Sequence, residues 1–222
     1  MGLSPRDAAL ELAGERVALL AERALWWPAR RTLVVADVHL GKAATFRAAG
    51  IPIPRGSTSD DLARLDRALA RTGATALVIL GDLFHARVGR EAPGTVAQVG
   101  GWRAGRPELD VLLVRGNHDI GAGDPPTELG LRCVDEPWDE APFAFRHHPE
   151  PVGSAYVLAG HVHPAVRLDG PGGLRARLPA FVFGTQVGLL PAFGSFTGGA
   201  AVEPDPEDRV YVVADDEVLG PA

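Results

Sequence analysis

Among 222 residues there is one cysteine, Cys133, one methionine, one lysine, Lys42, and one asparagine, Asn117. A lone cysteine excludes an intramolecular disulfide and is too few for a cysteine-based zinc site, so a reducing cytoplasm is the expected home. Long apolar runs are also missing: none approaches the ~18 residues of a membrane span, and Met1 to Asp7 is no charged lead into one. The expectation is a soluble, unexported chain. A basic excess is lacking too, since 22 Lys and Arg face 28 Asp and Glu for a formal charge of −6. That balance argues against an extended groove gripping long nucleic acid electrostatically. What remains is ordinary globular composition, 46% hydrophobic and 23% charged, which excludes disorder and coiled coil. With no linker, repeat or break in composition, residues 1–222 are expected to form one domain.

Residues 8–27 read as a hairpin around Ala13-Gly14-Glu15 and a third short strand ending at Trp26-Trp27-Pro28, at the edge of a sheet. Thr32–Ala36, Ala76–Leu80, Asp110–Val114 and Tyr156–Ala159 are short apolar runs suited to strands buried on both faces. Between the first two, Leu62, Leu65 and Leu69 predict a helix over 58–71, with Ser59-Asp60-Asp61 as its capping signal. A second helix is expected over 91–103, and loops over 121–126 and 149–154. After residue 156 helix signals vanish, and strands are expected at 164–168, 180–184 and 209–214.

Seven histidines, at 39, 85, 118, 147, 148, 161 and 163, lie with the only asparagine in five short segments. These are Asp37-Val38-His39, Gly81-Asp82-Leu83-Phe84-His85, Gly116-Asn117-His118-Asp119, Phe145-Arg146-His147-His148-Pro149 and Gly160-His161-Val162-His163. Most stand at the ends of the buried strands, where open α/β sheets bind ligands. In an extended chain, residues two apart face one side, so Asp37 can join His39 and His161 can join His163. One histidine at a strand end is commonly structural, and Gly-Asp or Gly-Asn is commonly a turn; five segments holding every histidine are not explained that way. Imidazole, carboxylate and carboxamide groups together suit two borderline ions such as Mn²⁺, Fe or Zn²⁺ better than Ca²⁺ or Mg²⁺. A carboxylate between two such ions is an arrangement for displacement at phosphorus.

This ordered set, over residues 33–163, resembles the calcineurin-like metallophosphoesterase superfamily. The resemblance implies an α/β fold, a four-layer α/β/β/α sandwich of two mixed sheets. By position it implies that Asp37, His39 and His163 hold one divalent ion, that Asn117, His147 and His161 hold the other, and that Asp82 bridges them. His147 is preferred to His148 because it stands two residues before the proline. A hydroxide shared by the ions would be the nucleophile, and His118 the general acid. Many relatives carry Asp at the fifth position of the Gly-Asp motif, where this chain has His85. Either His85 acts as a polar neighbour of the phosphate, or Asp119 or a backbone carbonyl orients His118.

Further stretches, Glu22 to Pro28, Leu40-Gly41-Lys42 with Phe46-Arg47, Gly50 to Gly56, and Leu190 to Gly199, resemble the ligase-associated DNA damage response endonucleases, the PdeM-type phosphoesterases. That resemblance implies a manganese-dependent phosphodiesterase acting on DNA in repair, beside a helicase, a DNA ligase and an exonuclease. Lys42, His85 and His148 are candidate substrate contacts, with Arg55 and Arg87 weaker ones. Trp26 and Trp27 are read as packing residues before base-stacking ones. Residues 191–199 form either a substrate-side loop or tight turns. A small-molecule or cyclic-nucleotide phosphoesterase and a noncatalytic scaffold of the same fold are the alternatives.

Overall fold

A computed structural model describes residues 4–54, 56–169 and 175–221. The N-terminal hairpin pairs β1 (Ala8–Leu12) with β2 (Glu15–Leu20) through Ala13 and Gly14, both at positive φ as a two-residue hairpin loop requires. β3 (Ala24–Trp27) continues antiparallel, and β4 (Thr32–Ala36), β5 (Ala76–Leu80), β6 (Asp110–Val114) and β7 (Arg132–Val134) follow in parallel. The seven strands lie in sequence order, with β1 at the edge.

A second mixed sheet runs β14-β11-β12-β13-β10-β9-β8, with β15 on β12 and β16 on β15. Its strands are β8 (Trp138–Glu140), β9 (Phe143–Phe145), β10 (Tyr156–Ala159), β11 (Pro164–Asp169), β12 (Arg175–Phe183), β13 (Val187–Leu189), β14 (Ala200–Ala201), β15 (Arg209–Ala214) and β16 (Glu217–Leu219). β12 is longer than the expected strand at 180–184 and ends one residue before it.

Alternation along the strands divides the core. Val34, Ala36, Val78, Leu80, Leu112 and Val114 meet Phe143, Phe145, Leu158, Phe181 and Phe183 between the sheets. Leu33, Val35, Leu77, Ile79, Val111 and Leu113 face the helices. Those are α1 (Lys42–Ala48), α2 (Ser57–Thr72), α3 (Arg87–Glu91), α4 (Pro93–Ala104) and α5 (Asn117–Ala122). The outer face of the second sheet carries smaller apolar clusters, one of them covered by Val152 and Ala155. No helix among the described residues is long and apolar enough to cross a membrane.

Trp27 is 1% exposed and meets Phe143 edge-to-face at 4.9 Å, while its indole donates to Glu15 at 2.8 Å. Packing is thus its structural role. Trp27→Ala is expected to cost about 3–5 kcal/mol. In thermal unfolding this is a fall in Tm of roughly 6–20 °C for a chain of this size; a fall under 2 °C would contradict the packing assignment.

Local expectations were corrected in three places. α2 begins at Ser57 after Gly56, and no side chain caps it. Ser59 donates to the Gly56 carbonyl, and Asp61 turns inward to Arg64 and the Ser195 amide, both at 2.8 Å. The helix expected at 91–103 is divided at Ala92 into α3 and α4. Asn117 to Ala122 is a helical turn, so the loop expected from 121 starts at Gly123.

Candidate metal centre

β4, β5 and β6 end side by side, and pairing continues beyond them. The amide of His39 donates to the Asp82 carbonyl at 2.8 Å, that of Leu40 to Leu83 at 2.8 Å, and that of His85 to Leu40 at 3.2 Å. This ladder sets Asp37 and His39 against Asp82 and His85. The segments are not extended as the spacing suggested. Asp37, His39, Asp82, His161 and His163 all adopt left-handed backbone, with φ between 50° and 67°. Such backbone costs about 1–2 kcal/mol per residue and persists where the surroundings enforce it, commonly at functional sites.

Gly81 and Gly116, which read as turn formers, are required by close approach as well. A Cβ on Gly81 would stand 2.2 Å from His147 Nδ1, and one on Gly116 2.4 Å from Asp82 Oδ1.

Two sets of polar atoms converge on either side of Asp82. On one side, His163 Nε2 is 3.4 Å from both Asp37 Oδ1 and His39 Nε2. On the other, Asn117 Oδ1 is 2.9 Å from His147 Nε2 and 3.1 Å from His161 Nδ1, and those two nitrogens are 3.0 Å apart. Asp82 reaches both sets: its Oδ2 lies 3.7 Å from His39 Nε2 and its Oδ1 3.7 Å from His147 Nε2. Asp37, Asp82, His39 and His147 form a floor at most 5% exposed, whereas Asn117 and His161 stand exposed at the rim.

The donor atoms fit cations. His147 Nδ1 donates to the Leu80 carbonyl at 3.1 Å, which leaves a lone pair on Nε2 pointing at the lone pairs of Asn117 Oδ1. His163 Nδ1 likewise donates to Gly198 O at 3.3 Å and turns Nε2 inward. Asp37 Oδ1 is buried with no hydrogen-bond partner among the described residues. Burial holds His39 down at about 2, with Lys42 and His163 adding to the effect, and it also lowers His147 and His161, so these rings are neutral donors. Burial and the charge of Asp37 push Asp82 up to about 6. Of these rings only His163 is raised, because the Asp37 carboxylate and the Gly198 carbonyl together outweigh burial. Paired buried carboxylates and facing lone pairs are the chemistry that divalent ions relieve.

Around this set stand residues with other bonds. His118 Nδ1 donates to the backbone carbonyl of His85 at 2.7 Å, leaving Nε2 free. The carbonyl is therefore the group that orients His118. Asp119 does not: it is 2% exposed and accepts from the amides of Asp82, Leu83 and Gly116 at 2.7, 3.0 and 2.9 Å. Its carboxylate braces the Gly-Asp and Gly-Asn turns, and burial raises its pKa to about 6. The imidazole of His85 stacks on His118 with centroids 4.8 Å apart and is lowered to about 4 by burial and Lys42. Lys42 is half-buried at the start of α1, with its ammonium lowered by burial against the pull of Asp82. His148 lies beside His161, with centroids 4.5 Å apart. Arg55 lies outside the described residues, and Arg87 is exposed at the start of α3.

Sequence reasoning missed Glu136, which no motif marks. Its Oε2 accepts from the amides of His147 and His148 at 2.7 and 3.0 Å, and its Oε1 accepts from His148 Nδ1 at 2.7 Å. Outer groups that orient ligands commonly carry 10–100-fold in metal affinity or activity. Glu136→Ala is expected to lower metal affinity about 10–100-fold by calorimetry, and an unchanged affinity would remove Glu136 from this role.

Residues 191–199 join the two halves of the site. Phe193 N donates to Ala36 O at 2.7 Å and Gly194 N to Asp37 O at 3.1 Å, while Arg64 holds the Phe193 carbonyl and Gly198 holds His163.

Two mixed sheets whose strand ends gather these clusters define a metallophosphoesterase fold. Residues 30–175 match the calcineurin-like phosphoesterase family, and the chain belongs to it. Members of that family use divalent metals. No curated protein matches the chain. Among solved structures, a Pseudomonas putida nuclease MPE is similar at 49% identity and a TM-score of 0.84, over 96% of this chain and 100% of that one. The resemblance to the ligase-associated endonuclease type is thereby met by a nuclease. YfcE, a phosphoesterase from E. coli, is 17% identical with a TM-score of 0.43, over 85% of this chain and 96% of that one.

Proposed function

We propose that the chain is a two-metal phosphodiesterase that cleaves DNA, and that its setting is repair in the cytoplasm. The observation that carries the reading is the position of Asp82, whose two oxygens face two separate ligand sets. Asp37, His39 and His163 would hold one ion and Asn117, His147 and His161 the other, with Asp82 shared. When bound, two such ions lower the pKa of water towards 7 and neutralise phosphoryl oxygens.

The protein's own groups do the rest. His118 Nε2 carries the proton to the leaving oxygen, because Nδ1 is held by the His85 carbonyl. Lys42 offers a positive charge beside Asp82, and the imidazoles of His85 and His148 flank the site on opposite sides as polar contacts to the strand. Arg55 completes the proposed set of substrate contacts. The seven-group donor set suits Mn²⁺, with Fe or Zn²⁺ as the other candidates. A helicase, a DNA ligase and an exonuclease are the proposed repair partners. Nuclease action is supported by the 49% identical neighbour.

The test is turnover with Mn²⁺ of bis(p-nitrophenyl) phosphate, a phosphomonoester and DNA. Cleavage of the diester and of DNA is expected; cleavage of the monoester alone would overturn the reading. The charge of −6 favours a second reading, a small-molecule diesterase. Substrate binding that weakens steeply with salt supports DNA, and a flat dependence supports the small molecule.

A further inference from the structure

Behind α1, away from the ligand sets, lies a cavity of about 310 Å³ that the proposed reaction does not use. Two helices begin at it, α2 through Ser57 and Thr58 and α4 through Gly94 and Thr95. Neither helix has a side-chain cap. Intrahelical bonding starts only at the amides of Asp60 and Val96, so the first-turn amides before them have no helical acceptor. Both positive dipole ends therefore open on one space, which favours an anion.

Two further groups point the same way. Thr95 is 4% exposed and lines the cavity, yet its hydroxyl has no hydrogen-bond partner among the described residues. A bound oxygen would give that hydroxyl a partner. Arg47 stands at the same cavity, its Nη1 donating to the carbonyls of Ile53 and Pro54 at 3.4 and 3.2 Å. The lining contains no carboxylate, although exposed Asp60 sits close by on the first turn of α2.

We propose that this cavity is an oxyanion site for a tetrahedral phosphate-class ligand, held by the first-turn amides of α2 and α4, the Thr95 hydroxyl and Arg47. Such a group comes either from a phosphodiester of the substrate strand or from free phosphate. The strand source rests on the nuclease reading above; the oxyanion site does not. The location also ties it to the ligand sets. Thr58 Oγ1 accepts from the Gly41 amide at 3.4 Å, on the turn between His39 and Lys42, and Ala43 and Ala44 line the cavity one turn later. A strand phosphate held here would fix the substrate across α1 from the scissile bond.

Tungstate soaked into crystals of the Mn²⁺-loaded protein, located by anomalous scattering, tests the site independently of any activity. A peak touching the Gly94 and Thr58 amides is expected, and it should be lost in Thr95→Val, which keeps the volume, and in Arg47→Ala. No peak, or a peak indifferent to both variants, overturns the proposal. Kinetics then separate the sources. For a strand phosphate, both variants should raise KM for an oligonucleotide by about 10-fold, as loss of a charge-assisted contact does. The salt slope should fall by about one in Arg47→Ala while bis(p-nitrophenyl) phosphate turnover is unchanged. An unchanged oligonucleotide KM with the tungstate peak lost assigns the site to free phosphate. If the chain cleaves no DNA, the nuclease reading falls and the tungstate result still stands or fails by itself.

Discussion

Asp82→Ala is expected to lower metal-dependent kcat/KM by more than about 10³-fold, because the charge stabilisation it supports is worth several kcal/mol and each 1.36 kcal/mol is tenfold. The magnitude follows from its place. Asp82 is 2% exposed, with one oxygen facing His39 and the other facing His147, so no neighbour can replace it. Asp82 Oδ1 also accepts from the His118 amide at 2.9 Å, so its loss loosens the start of α5 as well. Asp82→Asn keeps that volume and separates the effects. It should remain folded by circular dichroism and still lose most activity. Full activity in both variants would refute the site.

His118→Gln is expected to behave differently. The imidazole takes no part in the two ligand sets, and among the described residues only its Nδ1 is hydrogen-bonded, to the His85 carbonyl. Metal content should therefore stay at the wild-type level while turnover falls according to the leaving group. A positioned acid contributes about 10²–10⁴-fold where the leaving oxygen needs a proton. DNA, with an alkoxide leaving group, should lose that much; bis(p-nitrophenyl) phosphate, whose phenolate leaves unaided, should lose less than about 10-fold. Equal losses on both substrates would show that His118 positions the site and does not donate the proton.

Much of this arrangement was legible in the sequence, for identifiable reasons. β4, β5, β6 and β10 have the bounds that their short apolar runs set, since strands covered on both faces need no polar position. The residues that converge were legible because they are scarce types concentrated at strand ends. The backbone that aims them was not. Spacing alone suggested extended i and i+2 pairs, whereas left-handed Asp37, His39, His161 and His163 bring the groups together. Asp and His tolerate that region better than most residues, but only in a tertiary frame that holds them there.

Other misreadings share a cause, which is that short polar side chains serve tertiary bonds as readily as local ones. Ser59-Asp60-Asp61 looked like a cap, yet Asp61 reaches across to Ser195. Asp119 looked like a partner for His118, yet it braces backbone amides at Asp82 and Leu83. Glu136 was invisible because its partners lie 11 and 12 residues away, beyond any helix or turn spacing. The acidic total is likewise silent about local charge, since two divalent ions would contribute +4 against Asp37 and Asp82. A short footprint on the substrate fits both facts.

The central claim is that two ions share Asp82. Anomalous scattering at the manganese edge from crystals grown with Mn²⁺ tests it most directly. Two peaks are predicted, one bounded by Asp37, His39 and His163 and the other by Asn117, His147 and His161, with an Asp82 oxygen in contact with each. A single peak, or two peaks of which one does not touch Asp82, would contradict the account.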